Sequence, residues 1–153
     1  MKKMLATAAI ALLASVGALA SHHSIANYAA DTTIRMKGTV VAFERVNPHS
    51  IIFLDEKKED GRTQRWAVEG PAVSQLDRRN IQKDFLKVGD IIEICGLAMK
   101  EGPQSQRALP SGLSGRAING VIVVTPDGKM RSWSPYGFLD KCVPPDEQSS
   151  LVK

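Results

Sequence analysis

A chain of 153 residues, 43% hydrophobic and 24% charged, is long enough for one domain with a core of its own. Its formal charge of +4 falls to +2 once Lys2 and Lys3 of an apparent leader are removed, which leaves no basic footprint for nucleic acid. The composition therefore speaks against nucleic-acid binding.

The leader has three parts. "MKK" is positive, "MLATAAIALLASVG" is apolar but shorter than the about 20 residues a spanning helix needs, and "ALA" sets small residues where a signal peptidase reads. Residues 1–20 are expected to be a cleaved signal peptide of bacterial type. The mature chain is then periplasmic and has no stable membrane anchor. Residues 21–33 are polar and aperiodic and read as an N-terminal arm.

From residue 34 the chain reads as strands. "IRMKGTVVAFERV" (34–46) is β-branched and partly alternating, and Gly38 within it suggests a bulge or sharp coil. "NPH" (47–49) is a turn, "SIIFLDE" (50–56) a second strand, and "KKEDGR" (57–62) a charged hairpin loop. "TQRWAVEG" (63–70) is a third strand with Trp66 and Val68 on one face. "PAVSQLDRRN" (71–80) begins with Pro and spaces Val73, Leu76 and Asp77 at i, i+3, i+4, which predicts one short helix. Arg78 and Arg79 near its end are expected on a solvated face. "DIIEICGL" (90–97) returns to strand, 98–116 reads as a mobile loop rich in Gly, Pro and Ser, and "AINGVIVVT" (117–125) is the last long strand. "PDG" (126–128) turns the chain into the short strand "KMRSWS". Trp133 and Tyr136 are expected to pack the closing end, and residues 143–153 to form a disordered tail.

Three strands, a short helix, then further strands is the order of an OB-fold. The fold class expected for 34–142 is thus all-β with one short helix, a small OB-fold-like Greek-key β-barrel. Cys95 and Cys142 are an even pair in an oxidising compartment and read as a disulfide.

The histidines carry the sharpest chemical reading. His22 and His23 sit at the expected new N-terminus, and His49 lies in the turn that rims the usual OB-fold ligand face. With Ser21 first, its amine, two backbone amides and the His23 ring make a square-planar nitrogen set suited to Cu(II) or Ni(II). With His22 first, its amine and ring chelate and His49 adds a third nitrogen. Trp66, Glu69 and Asn47 are the candidates for binding another ligand. An indole at strand spacing is more often core, and Asn47 in a turn often caps backbone. No nucleophile or acid–base pair stands out, so an enzyme is not expected.

"HHSIANY" after a signal, "GTVVAFERVNPHSIIFL", "RWAVEGP" and "LKVGDIIEICGLAMKEG", in this order, resemble a family of small exported bacterial proteins of unknown function. The likeness runs from about His22 to Gly128 and places the family pattern on His22, His23, Asn47, Pro48 and His49. It implies a periplasmic β-barrel and no particular activity. Cys95 and Cys142 lie outside its markers. The expected function is binding, with copper(II) as the possible metal ligand. The alternative is a metal-free module for a protein, glycan or other envelope component.

Overall fold

The computed structural model describes residues 27–134 and 137–151. Its strands are β1 (Tyr28–Glu44), β2 (Ile51–Lys57), β3 (Thr63–Glu69), β4 (Ile91–Met99), β5 (Gln106–Ala108), β6 (Ser114–Val124) and β7 (Met130–Ser132), with short helices α1 (Val73–Arg78) and α2 (Leu139–Cys142). Antiparallel pairs join β3–β2–β1–β4–β6, and a parallel pair between β3 and β6 closes the ring. Five strands in this order, with α1 between the third and fourth, make the OB-type barrel that the order of elements predicts.

Alternation sorts the side chains. Met36, Val40, Ile52, Leu54, Trp66, Val68, Ile92, Ile94, Ile118 and Val123 form the inner core together with Leu76 of α1 and Ile81, Leu86 and Trp133. The Trp133 indole is fully buried, stacks on Phe85 at 6.0 Å between centroids and meets Phe43 at 5.9 Å. It fits because Gly70 and Gly120 have no side chain: a Cβ at either would run into the indole. Tyr136, its expected neighbour, lies outside the described residues.

Gly38 is needed for proximity and not for a bulge. A Cβ there would lie 2.6 Å from the Asp55 carbonyl oxygen, so the strongly coiled β1 can press on β2 only at a glycine. The irregularity in the β1–β2 register falls between Val40 and Ala42.

Three element boundaries differ from expectation. β1 starts at Tyr28, inside the predicted arm, because Tyr28 pairs with Met99 and is buried. The predicted loop 98–116 instead contains the end of β4, all of β5 and the start of β6. In the region predicted as a disordered tail, Val143 is buried and Leu151 packs on a second core. That core covers the outer face of β4 and β6 with Cys95, Leu97, Met99, Ala117, Val121, Ile122 and Cys142.

Cys95 and Cys142 are joined as expected, with Cα atoms 5.8 Å apart, so the bond ties α2 to β4. Arg35 supports the same place by donating to the Cys142 carbonyl at 2.7 Å. The bridge closes a 47-residue separation, which removes unfolded-chain entropy equivalent to about 4 kcal/mol. Cys95→Ser with Cys142→Ser should lower unfolding free energy in urea by a comparable amount, and reductant should do the same to the native protein. Gly70→Ala should cost about 1–3 kcal/mol by overpacking against Trp133, read as a lower urea midpoint.

Candidate functional site

The third strand ends in "VEG", and its alternation places Val68 inside the barrel and Glu69 outside. Glu69 is nevertheless only 1% exposed. A buried carboxylate must be paired, and two elements supply partners while a third supports one of them. From β1, the Tyr28 hydroxyl donates to Oε2 of Glu69. From β5, Nε of Arg107 lies 3.0 Å from Oε1. From β6, Asn119 sits directly beside Glu69 in the parallel register and hydrogen-bonds Tyr28.

Tyr28 holds its proton far more tightly than a free phenol. Burial is the main cause, followed by the charge of Glu69 and the hydrogen bond to it, while Asn119 and Arg107 pull weakly the other way.

His49 is half-buried next to this cluster. Its Nδ1 lies 3.3 Å from the Gly70 carbonyl oxygen, one residue beyond Glu69. The segment behind it is fixed by backbone bonds: Ser50 N–H donates to the Pro71 carbonyl at 3.0 Å, and Gly70 N–H to that of Ser50 at 2.8 Å. The root of the N-terminal arm and the His49 turn therefore both dock on the Glu69–Gly70 pair.

The other candidates are engaged within the fold. Oδ1 of Asn47 accepts the Val73 N–H at 3.2 Å and so caps the start of α1, across a cis Asn47–Pro48 bond. Trp66 is 5% exposed and belongs to the inner core. Its Nε1 donates to Glu56 at 2.7 Å, and Lys58 and Arg116 each stand 5.7 Å from its ring. Ser21, His22 and His23 lie outside the described residues. Among the described residues no three His, Cys, Asp or Glu side chains gather as a metal site.

The outer face of β2 and β3, which OB-folds commonly use for binding, is covered by the chain itself. Leu109 and Leu113, flanking the turn from β5 to β6, pack on Ile51, Phe53 and Ala67. The Leu109 N–H donates to the Leu113 carbonyl at 2.8 Å, and the Arg107–Glu69 pair pins the base of the same hairpin. Sequence reasoning missed Tyr28, Arg107 and Asn119. Two leucines four apart in an otherwise polar, Gly-rich stretch were the available sign that this segment is packed.

A family model described as a family of unknown function, DUF6152, matches residues 9–107. The chain belongs to that family. The match takes in both N-terminal histidines, the Asn47–His49 turn, Glu69 and Arg107, and it ends before β6. No curated protein matches the chain.

The Tyr28–Glu69 bond predicts an alkaline limit. Above the ordinary phenol value of 10.0 the unfolded chain releases the Tyr28 proton while the folded chain keeps it, so the unfolded state binds fewer protons. Stability from this group is complete below pH 10 and falls above it, by up to about 1.4 kcal/mol per pH unit. Urea titrations from pH 8 to 11 should show this slope in the native protein and a shallower one in Tyr28→Phe. Arg107→Met leaves the Glu69 charge without its cation and should destabilise by about 3–5 kcal/mol.

Proposed function

We propose that this protein is an exported periplasmic binding protein, not an enzyme, that captures Cu(II) with the nitrogens of its mature N-terminus. The observation that carries this reading is the shared docking of the arm's root and of His49 on Glu69–Gly70. Tyr28 holds the point from which the arm departs. Four residues separate Tyr28 from His23, a reach over five steps of at most about 18 Å. That reach is short enough for His23 to meet His49, which rests on the residue next to the partner of Tyr28.

Cleavage after Ala20 makes Ser21 the first residue. Its amine, the amides of His22 and His23 and the His23 ring supply four nitrogens in a plane. Cu(II) favours that tetragonal geometry and heads the affinity order of divalent metals. His49 would offer a further nitrogen to the ion. A ligating histidine normally rests its other nitrogen on a carbonyl or carboxylate, as Nδ1 of His49 does on Gly70. Cleavage one residue later would give His22 the terminal amine, with His49 as a third nitrogen.

The metal-free alternative, with a protein, glycan or other envelope component held near Trp66, has less support. Trp66, Asn47 and Glu69 are all held by internal partners, and the β2–β3 face lies under Leu109 and Leu113.

The test begins with N-terminal sequencing of the exported protein, followed by Cu(II) titration of that same material. A d–d band saturating at one ion per chain is expected. His23→Ala should weaken binding at least a hundredfold, and one extra residue ahead of Ser21 should weaken it similarly. His49→Ala should shift the band with a smaller loss of affinity. Equal affinity in the native and extended chains would overturn the proposal.

A further inference from the structure

Beyond the end of α1 the chain forms a cavity of about 670 Å³, within the range of small-molecule sites. It lies between the α1 exit, β7, α2 and the C-terminal turn. Ile81, Leu139 and Leu151 give it an apolar wall, and Arg79 and Arg131 also line it. No acidic residue does so among the described residues.

Both arginines are held in place without a carboxylate. Arg79, expected on a solvated face, is half-buried instead, and its Nη1 donates to the Ser132 carbonyl at 3.0 Å. Partial burial and neighbouring Arg78 both disfavour its charge, a penalty that an anion in the cavity would offset. The Arg131 guanidinium lies 6.0 Å from the centre of the Phe85 ring. Its Nε is buried and has no hydrogen-bond partner. A buried donor left unmatched is uncommon, and no acceptor among the described residues engages this side of the guanidinium.

We propose that this cavity binds an amphiphilic carboxylate, its head on the forked donors of Arg131 and Arg79 and its apolar body along Ile81, Leu139 and Leu151. A guanidinium pairs with a planar carboxylate through two parallel bonds, which favours this head group. One wall of aliphatic side chains suits an alkyl or aryl body. Among the described residues, neither His49 nor residues 27–33 line the cavity, so this proposal does not rest on copper binding.

Calorimetric titration of the purified protein with octanoate, octanol and acetate tests both halves of the claim. Octanoate should bind at one per chain, and octanol (chain without charge) and acetate (charge without chain) at least tenfold more weakly. Arg131→Met should reduce octanoate affinity at least tenfold, with partial recovery in Arg131→Lys. Ser149→Glu places a negative charge at the exposed margin of the cavity. It should expel octanoate with an unchanged melting temperature, and it decides the matter if Arg131→Met does not fold. Absence of octanoate binding, equal affinity for octanol, or unaltered affinity in Ser149→Glu would each overturn the proposal.

Discussion

A single buried carboxylate organises one side of this barrel. Glu69 lies on the outer face of β3, where a solvated side chain would be expected, yet it is buried and takes its polar partners from Arg107 and Tyr28. Those two residues arrive on the segments least constrained by the barrel: the β4–β6 connection and the first residues of β1. An ion pair of this kind contributes little net stability compared with apolar packing. Removing one partner is costly, however, and so the arrangement specifies which conformation the connecting segments adopt. The hairpin over β2–β3 and the origin of the N-terminal arm are both placed by that requirement.

The opposite flank solves a different problem. β4 and β6 present apolar residues outward as well as inward, and a small barrel cannot leave such a face in water. The chain after β7 folds back over it and brings Cys142 to Cys95. Four residues of α2 are too few to hold by helix propensity, because short helices form only through tertiary contacts. The covalent bond and the buried Val143 provide those contacts. This return is also what walls the arginine-lined cavity, so the site proposed there follows from the way the outer face is covered.

Much of the barrel was legible in the sequence because its determinants are local. β-branched alternation marks the strands, Pro71 with Leu76 marks the helix, and an even pair of cysteines marks the bridge. The boundaries that moved depend on distant partners. Tyr28 reads as part of a polar arm until Glu69 is known to be buried 41 residues later. Glu69 itself, in "RWAVEG", has the pattern of an exposed ligand contact, and nothing nearby in sequence announces Arg107. Asn47 resembled a site residue for a sound reason, since its side chain does bind something, but its partner is the Val73 amide at the start of α1. Arg79 was misread for the same kind of reason: position at a helix end says nothing about β7 folding against it.

The packing also narrows where a ligand can be held. Among the described residues the barrel interior is packed, with Trp133 wedged against two glycines and stacked on Phe85. The face that OB-folds commonly expose carries this chain's own leucines, held down by an ion pair whose acid is almost entirely buried. Opening that face would separate Arg107 from Glu69, at a penalty comparable to breaking a buried salt bridge, so a ligand there would have to supply that energy before gaining any affinity. The two sites proposed above require no such opening: the mature N-terminus with His49, and the cavity walled by the C-terminal return, could each take a ligand while every strand stays paired. Both proposals therefore look to the segments that flank the barrel.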